Sequence, residues 1–173
     1  MPIEYNFTFA LKWPYGVLKT AHWVGPLLTL CALHSRAYDI TFLTYFAIII
    51  SYVFFLYSLV VWGLHAIGVT QVVGPPPGYN PNDGGDDYSS GERFANLDLW
   101  TSVTGAFCFA VIALLSFVAL FDNTIDLETS SSIKLPVTAY VFSSIFSLAT
   151  AASFGYNGHL LRRALSHEYQ PLL

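Results

Sequence analysis

Four long apolar segments, separated by polar stretches, make up most of this chain. They cover residues 14–34, 41–67, 97–121 and 135–161. Each has at least about 20 residues, which at 1.5 Å per residue is enough to cross a hydrocarbon core of roughly 30 Å. They are apolar on every side, whereas the strands of a membrane barrel would alternate over about 10 residues. The pattern predicts an all-α, polytopic membrane protein built as a bundle of four transmembrane helices.

The polar segments between the spans differ in length and kind. Residues 35–40 and the acidic, serine-rich residues 122–134 are predicted to form short outer loops. Residues 68–96 join the second and third spans, and their Pro, Gly and acidic residues favour a long, mobile loop. Residues 1–13 precede the first span, and residues 162–173 form a short tail.

The start of the first span combines basic and aromatic residues around Pro14, which suits the first turn of a helix. Lys12 and Lys19 are predicted to lie at the lipid–water boundary, where cations snorkel and aromatic rings settle. With the N-terminus in the cytosol, five basic residues near span ends are cytosolic and two are outside. These are Lys12, Lys19, Arg93, Arg162 and Arg163 against Arg36 and Lys134. The positive-inside rule therefore predicts that both termini, the long loop and the tail are cytosolic.

Composition supports a lipid-solvated chain. It is 54% hydrophobic and only 10% charged, with a formal net charge of -4. A soluble domain of this size would need more charge to cover its surface, and nucleic-acid binding would call for clustered Lys and Arg. Cys31 and Cys108 lie inside apolar runs and are predicted to be free thiols. We expect no cofactor, because no metal-ligand spacing or catalytic set of nucleophile, base and orienting acid is recognisable.

Two stretches of the chain carry a family resemblance. At the first span the stretch is Phe9-Ala10-Leu11-Lys12-Trp13-Pro14-Tyr15-Gly16-Val17-Leu18-Lys19. At the fourth span it is Phe154-Gly155-Tyr156, followed by Arg162-Arg163. These stretches and the span layout resemble the MARVEL-domain proteins, the four-span family of MAL, plasmolipin, occludin and the synaptophysins and synaptogyrins. The chain departs from that family in its long second connection and in a third connection without cysteines. The resemblance implies a non-enzymatic organiser of vesicle or plasma membranes, acting in trafficking, microdomains or cell junctions.

The C-terminal tail matches two adaptor-recognised sorting patterns. Glu168 is followed, after three intervening residues, by Leu172 and Leu173, and Tyr169 lies three positions before Leu172. An extended tail could place an aromatic ring or a leucine pair in apolar pockets of a clathrin adaptor. The alternative is a plain solvated tail.

The long loop contains a P-P-x-Y sequence formed by Pro76, Pro77 and Tyr79. Consecutive prolines favour the extended polyproline conformation that WW domains bind, so a WW-domain ubiquitin ligase is a candidate partner. The alternative is that Pro and Gly only keep the loop open.

Several ionisable or amide side chains fall inside or near the ends of the spans, where such groups are costly and often functional. They are His22, His65, Asp98, Asn157 and His159. Together with Lys19 they could converge on one polar patch. The simpler interpretation is that Asp98 complements the dipole at a helix start, that His65 and His159 reach interfacial water, and that His22 hydrogen-bonds a Ser or Thr of a neighbouring span.

Two functional classes remain open. The first is a tetraspan organiser whose partners are lipids, other membrane proteins or further copies of itself, sorted through its tail and loop. The second is a small accessory or pore-lining subunit of a channel, transporter or pump. Junctional adhesion is a weaker third, because the outer loops are short.

Overall fold

The chain folds into four helices in the computed structural model. The structure describes the backbone of residues 10–11, 13–34, 42–67, 86–125 and 134–168, and side chains over somewhat narrower ranges of the last three. The helices are α1 (Tyr15–His34), α2 (Phe42–Ala66), α3 (Asp86–Ile125) and α4 (Lys134–Glu168). Among these residues there is no strand. The predicted all-α, four-helix fold is therefore confirmed.

Each helix contains a stretch that is long and apolar enough to cross a membrane. These stretches are Tyr15–His34, Thr44–Ala66, Asn96–Leu120 and Thr138–Arg163. They agree with the four predicted spans to within about three residues at each end, which is the usual uncertainty of helix boundaries read from a sequence. The chain is thus a multi-pass membrane protein.

Two helices continue past the predicted spans. α3 begins at Asp86 rather than at residue 97, so it takes in residues that we predicted to lie in the loop 68–96. α4 ends at Glu168, so the tail predicted for residues 162–173 begins as helix. The predicted spans stand, but the helices are longer than the spans, because hydropathy marks where lipid ends whereas a helix continues while the residues favour it. Acidic residues suit a helix start, and Leu, Ala and Arg are strong helix formers.

The helices form a four-cornered ring. α4 packs against both α1 and α3, and α1 packs against α2. α2 and α3 meet along a thin seam, and the backbones of α1 and α3 lie across the diagonal of the ring without close approach. Any direct tie between α1 and α3 therefore has to be made by long side chains that cross the bundle.

An aromatic cluster fills the middle of the bundle. The ring centroids of Phe54 and Phe109 are 5.6 Å apart, those of Phe54 and Phe154 are also 5.6 Å apart, and both pairs meet edge to face. Phe109 and Phe154 stack at 6.0 Å. Phe109 is fully buried, and edge-to-face and stacked rings each contribute about 0.5–1.5 kcal/mol beyond area burial. Phe54 carries α2 into this cluster and so holds it against α3 and α4.

The end of the bundle near the C-terminus of α1 is held by hydroxyl groups. Ser116 and Ser143 are fully or almost fully buried, and their oxygens lie 2.9 Å apart between α3 and α4. Thr29 and Ser147 face each other at 3.5 Å between α1 and α4. Small and hydroxylated residues let helices approach closely in lipid. These contacts hold α4 against both α3 and α1 at this end of the bundle.

Large apolar side chains cover the outside. On α2 they include Tyr45, Ile49, Val53, Leu56 and Val60, each about half exposed or more. Exposed apolar surface of this extent is unfavourable in water but matches a hydrocarbon solvent. α2 therefore presents a surface suited to lipid along much of its length.

Gly25 marks the closest approach of α1 to α4, which leads to a testable prediction. A Cβ built there would lie 3.1 Å from Thr150 Cβ and 3.2 Å from its Cγ2, and a short β-branched side chain cannot move aside. We expect Gly25→Ala to destabilise the protein by about 1–3 kcal/mol, the usual cost of overpacking. The measurement is the midpoint of unfolding in mild detergent.

Gly63 provides the matched control, since a Cβ built there meets nothing within 4 Å. Gly63→Ala should leave stability unchanged or raise it slightly, because Ala favours the helix. The double variant Gly25→Ala/Thr150→Ala should recover part of the loss, because it removes Oγ1 and Cγ2 of Thr150 but keeps its Cβ. If Gly25→Ala alone is as stable as Gly63→Ala, the proposed close contact is wrong.

Candidate functional site: a buried charged pocket

An ion pair crosses the diagonal of the ring. The Lys19 ammonium of α1 donates a hydrogen bond to Oδ1 of Asp98 on α3. The Lys19 side chain is 3% exposed and that of Asp98 is 15% exposed. The two residues are 79 positions apart in the chain, and their pairing joins the two helices whose backbones do not touch.

The spacing of buried residues on α1 explains why Lys19 points inward. Lys19, His22, Pro26, Thr29 and Leu33 are all buried, and they recur every three or four residues. This recurrence is the signature of one helix face turned toward the core. A lysine on that face has to find an anion inside the bundle, because an unpaired charge in a lipid-surrounded interior costs several kcal/mol.

His22 lies one turn further along the same face. Its ring stacks on Phe154 with the centroids 3.9 Å apart and the planes 12° apart. The ring also makes a hydrogen bond with the backbone of Ser153 on α4. His22 is 2% exposed, and its Nε2 has no hydrogen-bond partner among the described residues. The ring is thus fixed in place while one polar nitrogen is left unused.

A small cavity lies beside these groups. Its volume is about 10 Å³, room for roughly one water molecule. Lys19, His22 and Asp98 line it together with Phe154, and hydroxyl groups from α2 and α3 complete the lining. All four helices therefore contribute to one pocket in the half of the bundle where α1 begins.

The hydroxyl groups of the pocket lie along the thin seam between α2 and α3. Thr101 Oγ1 is 3.3 Å from the Tyr57 hydroxyl, and it donates a hydrogen bond of 2.8 Å to the Leu97 carbonyl. Ser58 is buried beside Tyr57. Thr101 stands one turn after Asp98, so both face the same side of α3. We did not predict these three residues as part of a site. The spacing of three residues from Asp98 is a sequence signal that could have identified Thr101, whereas Tyr57 and Ser58 lie on α2 and have no such signal.

The remaining predicted polar residues do not join the pocket. Asn157 is fully buried on α4, where its Nδ2 donates a 2.8 Å hydrogen bond to Ser102 Oγ. His65 lies close enough to interact electrostatically with Lys19 and Asp98. Its Nδ1 is 2.7 Å from the Val61 carbonyl oxygen, and the residue does not line the cavity. His159 is exposed on α4.

Two sequence interpretations need correction. Asp98 does not lie at a helix start, because α3 begins at Asp86, and it pairs with a cation instead of a helix dipole. Lys19 does not snorkel to the boundary but is buried. The predicted hydrogen bond of His22 to a Ser or Thr of a neighbouring span agrees with its contact to Ser153 of α4, which is made through the backbone. Convergence on one patch holds for Lys19, His22 and Asp98 only.

The two short motifs cannot be placed. Glu168 is the last residue of α4, and its side chain lies outside the described residues. The other motif residues also lie outside them, namely Tyr169, Leu172, Leu173, Pro76, Pro77 and Tyr79. An acidic residue at the end of a helix has to leave that helix before an extended-peptide groove can bind it.

Metal chemistry finds no support in the described part of the chain. Nowhere in it do three His, Cys, Asp or Glu side chains come close enough to hold a metal ion. Cys31 and Cys108 are both free thiols, as predicted. The pocket can therefore do two things with its own groups: tie α1 to α3 by charge, and exchange protons among a carboxylate, an ammonium and an imidazole.

Comparison with protein-family models, with curated proteins and with solved structures finds no match to this chain.

The ion pair leads to a prediction about stability. Replacing one member, as in Lys19→Met or Asp98→Asn, leaves the other buried without its partner, and we expect a loss of about 3–5 kcal/mol. Replacing both, as in Lys19→Met/Asp98→Leu, removes the buried charges together and should restore at least half of that loss. Unfolding midpoints of the purified protein in one detergent provide the measurement.

Arg162→Met serves as the matched control, because Arg162 is an exposed cation on α4. It should change stability by no more than about 0.5 kcal/mol. Losses that simply add in the double variant would show that the two charges do not interact.

Proposed function

We propose that this protein is a non-enzymatic, four-span organiser of vesicle or plasma membranes, sorted through its cytosolic tail and loop. In this role it acts by packing against lipids, other membrane proteins or further copies of itself. The observation that carries the proposal is the division between its outside and its inside. Large apolar side chains face outward, while most polar groups inside pair with one another through hydrogen bonds or the ion pair.

The outer surface supports a role in lipid or helix packing. Exposed aromatic and aliphatic side chains continue from α2 onto α3, where Trp100, Phe107 and Phe117 are 69%, 70% and 49% exposed. Such side chains offer contact area to lipid chains and to neighbouring helices alike.

The interior supports a closed bundle rather than an open path. Phe54, Phe109 and Phe154 fill its middle, and the charged pocket beside them has room for about one water molecule. A conducting pore would need a continuous row of polar groups and water across the bilayer. The resemblance of the first and fourth spans to MARVEL-domain proteins points the same way.

Sorting is tested by tail variants that separate the two overlapping patterns. Leu173→Ala removes only the dileucine pattern, Tyr169→Ala only the tyrosine pattern, and Leu172→Ala removes both. We expect Leu172→Ala to weaken adaptor binding at least about tenfold, since loss of a pocket-filling anchor costs about 1.4 kcal/mol or more. The readouts are adaptor pull-down and the fraction of protein at the cell surface.

Gln170→Ala is the matched control, because Gln170 belongs to neither pattern. Whichever of Leu173→Ala and Tyr169→Ala reproduces the Leu172→Ala effect identifies the pattern that is read. Unchanged distribution and turnover in all of these variants would exclude sorting by the tail.

The same experiment includes the loop. Tyr79→Ala removes the aromatic anchor of the P-P-x-Y sequence, and Asn80→Ala next to it is the control. Loss of WW-domain capture and of ubiquitination in Tyr79→Ala alone would identify the loop as the ligand. If a WW domain captures both variants equally well, the P-P-x-Y sequence is not its ligand.

A second candidate is an accessory subunit of a larger membrane complex. The thin seam between α2 and α3 favours it, because a partner helix seated there would cover a buried charge pair that these two helices shield incompletely. Purification in mild detergent separates the two candidates. Stoichiometric recovery with one large complex supports the subunit, whereas recovery of adaptors that is lost with the tail variants supports the organiser.

A further inference from the structure

The charged pocket holds one anion and two groups that can carry positive charge. Asp98 is already paired with Lys19, and His22 lies beside them with its Nε2 unpartnered among the described residues. Electrostatic coupling reaches His22 from both Lys19 and Asp98. A buried polar atom without a partner is rare in folded proteins and calls for an explanation, such as a bound water, an ion or a role in proton exchange.

The shape of the pocket limits what it can bind. Its volume of about 10 Å³ admits one water molecule and excludes any organic ligand. A metal ion would need more ligands than His22 and Asp98, and no further His, Cys, Asp or Glu comes close enough among the described residues. A proton, delivered by a single water, is the ligand that fits this space.

The aromatic cluster separates the pocket from the far half of the bundle. Phe154 lines the pocket and stacks on His22, and on its other side it contacts Phe54 and Phe109 at mid-span. The pocket is thus shut off toward the far end of α1. Its nearer neighbours are the hydroxyls of Tyr57, Ser58 and Thr101, which can relay a proton.

We propose that this pocket is a proton-binding site in which one buried water connects His22 Nε2 to the Lys19–Asp98 pair, and that proton uptake at His22 loosens the tie between α1 and α3. The imidazole becomes an imidazolium and no other bond forms or breaks. This inference is independent of the proposed role in membrane organisation.

The groups that face His22 determine the consequence of uptake. From α1 it meets Lys19, from α3 Asp98, and from α2 the Tyr57 hydroxyl, while α4 presents Phe154 and the Ser153 backbone. A second cation then competes with Lys19 for one carboxylate in a site of low dielectric. Because the buried site holds two cations and one anion after uptake, the pairing across the diagonal weakens.

The test is nitrogen NMR of the five histidines in the intact protein, held in nanodiscs of a neutral phospholipid. The His22 signals are assigned by their absence in His22→Gln. We expect them to titrate as the pH is lowered, with midpoints that move in opposite directions in Lys19→Met and Asp98→Asn, each by about one pH unit or more. The opposite signs follow because one variant removes a like charge and the other an opposite charge.

His34 provides the internal control, since it lies at the other end of α1, is exposed, and has its Nδ1 3.1 Å from the Leu30 carbonyl. Neither substitution should alter its NMR signals, because His34 lies far from the ion pair. Where Asp98→Asn does not fold, the His22 midpoint in Lys19→Met is the deciding measurement, because the opposite effects of the two substitutions offset each other in the double variant. His22 signals that stay constant wherever the protein is folded, or a midpoint unaffected by these substitutions, would overturn the proposal.

A second readout follows the loosening itself. Because the added charge at His22 weakens the pairing of Lys19 with Asp98, the parent should lose stability once His22 takes up a proton. On acidification the unfolding temperature of the parent and of His34→Gln should fall by about 2–4 °C more than that of His22→Gln. Equal losses in all three would show that proton uptake at His22 does not reach the ion pair.

Discussion

The pairing of Lys19 with Asp98 is the constraint on which the arrangement of this bundle depends. In lipid there is little hydrophobic force between helices, so packing and polar contacts have to select the register of each one. The charged pair does this for α1 and α3, which share no backbone contact. A carboxylate and an ammonium each cost several kcal/mol to bury alone. Arrangements that separate them are therefore much less stable than the native one, even though the pair adds little net stability.

The other helix pairs are held together by close packing of small and aromatic residues. Gly25 lets α1 lie directly against Thr150 of α4, and Gly105 leaves room on α3 for the rings of Phe54 and Phe154. The hydroxyl contacts between α3 and α4 continue the same close approach to the far end of the bundle. The result is that α4 is held on two sides, whereas α2 depends on α1 and on the insertion of Phe54. The seam between α2 and α3 is consequently the side on which the bundle can open with the least loss of contacts.

The sequence was sufficient for the spans, because length and hydropathy are set by bilayer thickness and need no knowledge of tertiary contacts. It was insufficient for the ends of α3 and α4, where polar residues continue a helix outside lipid. The pocket was predicted only in part. His22 and Asp98 stood out as ionisable residues within apolar runs, but Lys19 resembled an ordinary boundary lysine, since it lies only one turn into α1. Its inward direction depends on the phase of the α1 face, and its partner lies 79 residues away.

The position of the pocket means that a change of charge inside it affects how the helices are held together. It lies under the thinnest seam, on one side of an aromatic barrier, and its charges join two helices whose backbones do not approach closely in the described part of the chain. Many packed side chains hold the other helix pairs together, so the loss of one contact has a small effect there. Between α1 and α3, one additional charge acts directly on the Lys19–Asp98 ion pair. The contacts of α4 hold most of the bundle together, whereas the link between α1 and α3 depends on the Lys19–Asp98 pair. If that pair weakens, the seam between α2 and α3 can open while the rest of the protein stays folded. That side also carries much of the apolar surface through which lipids or partner helices would be engaged.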